Sequence, residues 1–196
     1  ITHSPSGVFN TIVYVTIAAT GNSIDFGDTS TANGRLHGAS SPTRGILFWG
    51  NSGGPAYNYV NNIEYITTST LGNSADFGDK IQASTHGGSF SNAIRGVTGG
   101  GVADSSGNIT NVIQFVTIAT LGNSQDFGDL TYNSRIMGSA SSPTRGLFAG
   151  GLNPSGVLNT ISYVQIMTTG DSIDFGDLTS TSYGVSGLSN GHGCLG

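Results

Sequence analysis

The apolar residues of this chain fall in short clusters that Gly, Asn, Ser and Pro separate. In one representative stretch, β-branched and aromatic residues mark four extended segments at 112–119, 124–130, 134–139 and 145–150. Short runs of this composition between turn residues are typical of β-strands. Since no helical segment lies between them, the pattern predicts an antiparallel meander of four short strands.

The same pattern recurs along the chain. The tetrapeptide Asp-Phe-Gly-Asp (DFGD) occurs at 25–28, 76–79, 126–129 and 174–177, at spacings of 51, 50 and 48 residues. Each copy closes a longer segment, such as NTISYVQIMTTGDSIDFGD from Asn159. A second block follows each copy: SPTRGILFWG from Ser41, SNAIRGVTGG from Ser91, SPTRGLFAGG from Ser142 and SNGHGCLG from Ser189. The chain is therefore built from modules of about 49 residues.

A four-stranded sheet cannot bury both of its faces alone, so the modules must pack on one another. Radial packing into a β-propeller does this with protected edges. The interval from the last DFGD round to the first is 47 residues, and the four intervals together equal the 196-residue chain. We therefore expect one domain over 1–196, a propeller of four blades closed by pairing of the N- and C-terminal strands. The alternatives are strand exchange between subunits, a β-solenoid and a fibre prism.

Composition agrees with an all-β chain. Gly, Ser, Thr and Asn supply about half of the residues, whereas 36% are hydrophobic, enough for a buried core. Six basic and eleven acidic residues give a net charge of −5 without a basic run in the sequence, which disfavours nucleic acid and membrane surfaces as partners. The single cysteine, Cys194, allows no internal disulfide and no cysteine-type metal site.

Part of the module resembles a known family. A strand ending in Gly-Gly (147–151), a variable loop, a strand with a central aromatic residue (Tyr163) and a strand with a buried Phe (Phe175) resemble the blades of kelch-type β-propellers. The segments TRGLFAGG, NTISYV and DSIDFGDLT are similar to kelch-like repeats in structural and tail-fibre proteins of tailed phages. The tryptophan expected late in each kelch blade is missing, and Trp49 lies in a different strand.

The DFGD copies invite a reading as kinase or calcium motifs. The kinase interpretation does not fit, because the motif occurs four times and neither a catalytic loop nor a nucleotide-binding lysine accompanies it. The calcium interpretation does not fit, because calcium loops place their ligands at alternate positions. The repeat favours a structural role, in which the Phe fills the space between blades, the Gly permits a bend and the Asp side chains bond turn amides. The residues concerned are Asp25, Phe26, Asp28, Asp76, Phe77, Asp79, Asp126, Phe127, Asp129, Asp174, Phe175 and Asp177.

Arg44, Arg95 and Arg145 share one module position, which His192 takes in the last copy. A ring of guanidinium groups could bind an anionic sugar or a phosphate. The favoured interpretation is structural, with each arginine paired to a DFGD carboxylate.

Candidate binding residues are sought where the modules differ, since binding positions need not recur. The loop 51–62 is rich in Tyr and Asn and follows Trp49, so Trp49, Tyr57, Asn58 and Tyr59 are candidates for recognising carbohydrate or protein. Packing of this loop on its own blade is the alternative. The four histidines fall at different module positions, which argues against a shared metal site, and Cys194 aligns with core residues. Asn108 begins a glycosylation sequon.

These observations predict a non-enzymatic protein without cofactor or metal. We expect a structural or fibre module of a phage virion, facing outward and binding a host surface or glycan. The partners would be copies of itself, other virion or filament proteins and a cell-surface glycan, with no nucleic acid and no membrane insertion. A bacterial cell-surface or secreted lectin-like module and a subunit of an extracellular strand-exchange filament are the alternatives. In each case the location is a virion or the extracellular space.

Overall fold

The computed structural model describes residues 8–52 and 58–189, and every regular element in these ranges is a β-strand. The all-β prediction is therefore confirmed. The strands are β1 (Phe9–Tyr14), β2 (Ile24–Gly34), β3 (His37–Ser40), β4 (Arg44–Phe48), β5 (Asn51–Ser52), β6 (Asn58–Tyr59), β7 (Asn62–Thr67), β8 (Ala75–Asp79), β9 (Gly88–Ser91), β10 (Arg95–Val102), β11 (Ile109–Thr117), β12 (Gln125–Asp129), β13 (Gly138–Ser141), β14 (Arg145–Ala149), β15 (Leu152–Asn153), β16 (Gly156–Val157), β17 (Thr160–Gln165) and β18 (Ile173–Asp177).

Three antiparallel sheets repeat one plan. Sheet I contains β3, β4, β7 and β8 in that order, sheet II contains β9 to β12, and sheet III contains β13, β14, β17 and β18. The N-terminal sheet joins β1 and β2, the counterparts of the third and fourth strands, to the short strands β5 and β6. A small hairpin of β15 and β16 completes the described strands.

The sheet boundaries differ from the predicted meander. The segments 112–119 and 124–130 belong to sheet II, whereas 134–139 and 145–150 lead into and form part of sheet III. The reason is that the outer edge of β12 is already occupied, because the amide of Ser172 donates to the carbonyl of Asp129 at 2.8 Å. The chain therefore leaves sheet II after the DFGD strand and starts a new sheet.

The core lies between successive sheets. One cluster joins sheets I and II through Ile46, Phe48, Phe77 and Ile118, among others, and a second joins sheets II and III through residues that include Phe148. Sheet II is covered on both faces, so even the polar side chain of Gln114 on its third strand is buried. Gln114 is satisfied there because its Oε1 accepts a hydrogen bond from the Ser124 hydroxyl at 2.8 Å.

Every DFGD strand carries the same β-bulge. In the first copy Ile12 pairs with Gly27 and Val13 with Asp25, so Phe26 is the extra residue. The bulge turns the Phe ring edge-on to the aromatic ring of the third strand. The ring centroids are 6.1 Å apart for Tyr14 and Phe26, 6.0 Å for Tyr65 and Phe77, 5.8 Å for Phe115 and Phe127, and 5.9 Å for Tyr163 and Phe175.

The DFGD strand of one sheet is bonded to a Gly-Asn-Ser or Gly-Asp-Ser loop of the next, a contact we call the module joint. In the first joint, Gly72 N donates to Phe26 O at 2.8 Å and Ser74 N donates to Asp28 O at 2.9 Å. Asp28 N in turn donates to the Asn73 side-chain oxygen at 3.0 Å. The joint thus satisfies the free edge of the fourth strand, which an open sheet would leave unpaired.

The joint occurs three times with the same geometry. In the second, Gly122 N donates to Phe77 O at 2.8 Å, and in the third, Gly170 N donates to Phe127 O at 2.6 Å. The cap is Asn123 for Asp79 N and Asp171 for Asp129 N. The repeated Asp therefore contributes its backbone amide to the joint, and the side chain that caps this amide comes from the next module. Asp174 Oδ1 accepts from Gly176 N at 3.2 Å, but this amide belongs to the same strand, β18, rather than to a turn as predicted.

The glycine of the DFGD motif is required by the joint. A Cβ on Gly27 would lie 2.3 Å from Gly72 O, and one on Gly128 would lie 2.4 Å from the carbonyl carbon of Gly170. These glycines also have φ angles of 148° and 141°, a region that favours glycine. The predicted bend glycine is therefore confirmed, and the joint adds a reason that the sequence did not supply.

The burial of the DFGD phenylalanines depends on the joint. Phe26, Phe77 and Phe127 are buried, as predicted for a ring between blades. Phe175 is 53% exposed, so its predicted burial is wrong. The physical reason is that no described residue forms a joint on the strand that carries Phe175.

The first strands of sheets I to III lie side by side and are joined by serines. Ser89 Oγ donates to Gly38 O at 2.8 Å, and Ser139 Oγ donates to Ser89 O at 2.7 Å. Ser91 and Ser141 make the equivalent bonds two residues further along the same strands. The predicted closure by pairing of the N- and C-terminal strands is not seen in the described part of the chain, where β1 pairs with β2 and no C-terminal strand joins its sheet. Residues 190–196, with His192 and Cys194, lie outside the described ranges.

The role of the glycine is tested by comparing Gly128→Ala with Gly176→Ala. The two glycines share the motif and the φ angle (141° and 139°), but no described atom lies within 4 Å of a Cβ on Gly176. Both variants carry the same backbone strain, and only Gly128→Ala adds a clash. We expect Gly128→Ala to lower the unfolding free energy by about 2 kcal/mol more than Gly176→Ala, as measured by urea denaturation in dilute solution. Equal losses would contradict the role of the joint.

Candidate functional site

The predicted aromatic surface is not assembled as expected. Trp49 is only 2% exposed, and its carbonyl oxygen accepts a hydrogen bond from the Lys80 ammonium at 2.6 Å. Asn58 is exposed and Tyr59 is half-buried in β6, where they pair with β5. Tyr57 lies outside the described residues. Because the indole is buried in the core, Trp49 offers no ring face to a ligand, and its predicted exposure is wrong.

The repeat arginines stack on the aromatic ring of their own third strand. Arg44 Nη1 also donates to Ile118 O at 2.9 Å, and Arg95 Nη1 donates to Ile166 O at 3.0 Å, in each case on the next sheet. The guanidinium carbon lies 4.8 Å from the ring centroid for Arg44 over Tyr65, 4.2 Å for Arg95 over Phe115 and 5.1 Å for Arg145 over Tyr163.

This geometry corrects the predicted pairing of these arginines with DFGD carboxylates. The guanidinium of Arg44 or Arg95 lies between a ring of its own sheet and a carbonyl of the next, whereas the first Asp of each DFGD copy is exposed on the fourth strand. An arginine held by a cation–π contact and a backbone oxygen supports the module joint. Arg44 and Arg95 therefore belong to separate joints, and Arg145 stacks on Tyr163 of its own sheet.

A different group of cationic side chains comes together in the fold. It consists of Arg35, His37, Lys80, His86 and Arg135, which we call the basic cluster. His37 is influenced electrostatically by Lys80 and His86, and His86 by Arg35 and Arg135. The cluster holds three of the six Lys and Arg residues and two of the four His residues of a chain with a net charge of −5. It therefore gathers a large share of the basic side chains of an acidic protein.

A repeated turn places two members of the cluster next to each other. Arg35, His86 and Ile136 occupy the same module position and have φ angles of 59°, 59° and 56°, followed by Gly184 at 68°. The turns are bonded in series, since Ile136 N donates to His86 O at 2.7 Å and Gly184 N donates to Ile136 O at 2.9 Å. A non-glycine residue in this region costs about 1–2 kcal/mol, so the bonds between modules must hold the turns in place.

Lys80 is the most deeply buried member of the basic cluster. Its ammonium donates to Trp49 O at 2.6 Å and to Ser84 O at 2.8 Å, which are both neutral carbonyls. Burial lowers the pKa of Lys80 from its ordinary value of 10.5 to about 7. The other modules have Thr29, Leu130 and Leu178 at this position, so the lysine is a departure from the repeat.

The two histidines are neutral at physiological pH. Burial, followed by the nearby charges of Lys80 and His86, lowers the pKa of His37 to about 4. Burial and the charges of Arg35 and Arg135 lower the pKa of His86 to about 4. His37 Nε2 accepts from Gly87 N at 3.0 Å, and His86 Nδ1 is 2.9 Å from the Thr85 hydroxyl. An anion placed among these groups would favour their protonated forms.

Arg135 has unused hydrogen-bonding capacity. Its backbone amide donates to Leu152 O at 3.0 Å, but its Nε is buried without a hydrogen-bond partner in the structure. A buried guanidinium nitrogen without an acceptor is unfavourable, because the lost contact with water is not replaced.

Two cavities meet at His37. One of about 550 Å³ lies between the N-terminal sheet and sheet I, where 9–13 and Leu47 give it a largely apolar wall. The other, of about 360 Å³, lies along the first strands and is lined by 87–89, Ser139 and 185–187, among others. The site therefore combines an apolar wall, a polar wall and adjacent cationic groups, a combination that suits a small ligand with an acidic group.

The sequence interpretation missed the basic cluster because it compared equivalent module positions. Arg35 and His86 are equivalent, but His37, Lys80 and Arg135 each occupy a different position. The absence of a basic run therefore did not exclude a basic site, because the fold assembles one from separated residues. The sequence did contain one indication of the cluster, because all five of its residues depart from the repeat. The clearest case is the charged Lys80, where two other modules have Leu.

No group of three or more His, Cys, Asp or Glu residues that could hold a metal ion is found in the ranges 8–52 and 58–189. The same ranges contain no helix long and apolar enough to cross a membrane. Comparison with protein-family models and with curated proteins found no match for the chain.

The buried lysine predicts a specific dependence of stability on pH. Since the pKa of Lys80 is about 7 in the folded protein and about 10.5 when unfolded, the unfolded chain binds more protons between these values. The unfolding free energy of the native chain should therefore rise from pH 7 to pH 10 relative to Lys80→Met, by about 2–4 kcal/mol. Urea denaturation of both proteins at several pH values measures this. Parallel pH profiles would rule out a buried, depressed Lys80.

Proposed function

We propose that this chain is a non-enzymatic recognition module of a virion fibre or another extracellular assembly, and that its basic cluster binds an acidic glycan. The observation that carries the proposal is that His37 lines two cavities and is linked electrostatically to Lys80 and His86, and through His86 to Arg35 and Arg135, in a protein with a net charge of −5. This proposal keeps the predicted class of ligand but moves its site from the loop 51–62 to the basic cluster.

The chemistry of the cluster favours an acidic sugar. Arg135 offers a buried guanidinium nitrogen without an acceptor, and carboxylates or sulfates accept strong charge-assisted hydrogen bonds from such groups. His37 and His86 can take up protons as the anion binds, which would strengthen the interaction at lower pH. The apolar wall at 9–13 suits the less polar face of a sugar ring.

The serines beside the cavity support binding rather than catalysis. Ser89 and Ser139 line the polar wall and donate their hydroxyl groups to backbone carbonyls of neighbouring strands. A catalytic serine instead donates to a general base that removes its proton. These hydroxyl groups are therefore committed to joining the first strands.

The proposed fold is a β-propeller with kelch-like blades. Three features support it: successive four-stranded sheets share one module joint, their first strands lie side by side, and the module repeats about every 49 residues. The outward-facing viral or extracellular setting rests on the resemblance of TRGLFAGG, NTISYV and DSIDFGDLT to phage fibre repeats.

A glycan array with sialylated, uronic-acid, sulfated and neutral sugars tests the proposal. We expect the native chain to bind acidic sugars only. Arg135→Gln should weaken binding at least about tenfold, the loss of one charge-assisted hydrogen bond of about 1.5–3 kcal/mol. Arg44→Gln is the matched control, since it removes the same charge from an arginine stacked on Tyr65 away from the cluster.

Circular dichroism establishes that both variants are folded before binding is compared. If the native chain bound none of the acidic sugars on the array, the proposed ligand would be refuted. An equal loss from Arg44→Gln would refute the proposed site.

A further inference from the structure

Both halves of one further module joint are present in the chain, and neither has a joint partner among residues 8–52 and 58–189. The three internal joints each combine a DFGD strand with a Gly-Asn-Ser or Gly-Asp-Ser loop of the next module. The fourth DFGD strand, 174–177, and the first Gly-Asn-Ser loop, 21–23, have the same sequences but form no joint among the described residues. We call them the acceptor edge and the donor loop.

The acceptor edge already has the geometry of the joint. Gly176 has a φ of 139°, like the corresponding glycines at 27, 78 and 128, and Tyr163 meets Phe175 edge-on at 5.9 Å. What it lacks is the covering loop. Phe175 is 53% exposed and Ile173 57% exposed, and no described atom lies within 4 Å of a Cβ built on Gly176.

The donor loop shares its preceding turn with the internal loops. Ala19 N donates to Thr16 O at 3.1 Å, as Thr120 N does to Thr117 O at 3.0 Å. Gly21 does not have the positive φ of Gly72, Gly122 and Gly170, so this glycine must rotate when the joint forms. Ile17 is 97% exposed, whereas Ile118 and Ile166, its counterparts in the second and third joints, are essentially fully buried.

Arg145 provides a third unmatched element. The equivalent Arg44 and Arg95 donate across their joints to the carbonyls of Ile118 and Ile166. Arg145 stacks on Tyr163 at 5.1 Å, and no carbonyl partner is found for it in the described part of the chain. The carbonyl that corresponds to those of Ile118 and Ile166 is that of the exposed Ile17.

We propose that the acceptor edge of one copy of this chain binds the donor loop of a second copy, so that the module joint continues between molecules. Gly21 N and Ser23 N would donate to Phe175 O and Asp177 O, Asn22 would cap Asp177 N, and Arg145 would donate to Ile17 O. Ile17 and Phe175 would then be buried together with the joint. The established geometry of three internal joints supplies the template for each of these contacts.

The arrangement is head-to-tail, because the surface used on one copy differs from the surface used on the other. Such an interface gives a ring when the rotation between copies closes and a filament when it does not. The second copy is favoured over closure within one chain because the two surfaces belong to the first and last sheets of the series, and no hydrogen bond joins them among the described residues. The inference involves no ligand, so it is independent of the glycan proposed above.

Measurement of the molar mass by sedimentation equilibrium, over a range of protein concentrations, tests the inference. We expect the native chain to associate into multiples of 19.9 kDa. Ile17→Asp should return the mass to that of one chain, because it places a charge in the new joint. Its matched control is Leu188→Asp, since Leu188 is 95% exposed and is not part of the joint; this variant should associate like the native chain.

Both side chains are almost fully exposed, so neither substitution removes a core contact, and circular dichroism verifies that the fold is retained. A native mass of 19.9 kDa at every concentration would overturn the inference, and it would also be the result of closure within one chain. Continued association of Ile17→Asp, or equal dissociation of Leu188→Asp, would overturn it as well.

Discussion

The backbone of each DFGD strand meets the backbone of the next module so closely that no Cβ fits between them. The distance from a Cβ on Gly27 to Gly72 O would be 2.3 Å, and the equivalent glycines at 78 and 128 are confined in the same way. This approach lets two backbone amides and one Asn or Asp side chain satisfy the outer edge of each sheet. It also buries the adjacent Phe, so edge pairing and core formation depend on one contact.

The same constraint fixes the distance and rotation between modules, and the basic cluster follows from it. Because the repeated turns are stacked, with Ile136 N bonded to His86 O, side chains from neighbouring modules converge. Arg35 and Arg135 therefore act electrostatically on His86 although the three residues lie about one module apart in the sequence. The scaffold is strictly repeated, whereas the site is made by residues that break the repeat.

Sequence reasoning was sufficient for the parts of the fold that the repeat encodes. The all-β class, the four-stranded module and the interior role of Phe26, Phe77 and Phe127 followed from composition and spacing. The exposure of Phe175 did not, because burial depends on a neighbouring module rather than on the residue type. Trp49 was misjudged and Lys80 was overlooked for a related reason. Their surroundings come from strands distant in sequence, so neither burial nor charge convergence is visible in a local pattern.

Amide hydrogen exchange, followed by NMR residue by residue, tests the central claim most directly. In each joint a glycine amide is bonded to a carbonyl of the preceding module: Gly72 to Phe26, Gly122 to Phe77 and Gly170 to Phe127. We predict that these three loop amides are strongly protected, although loop amides ordinarily exchange fast. Exchange of all three at the rate of an unfolded chain would contradict the account, because the sheets would then not be joined by their backbones.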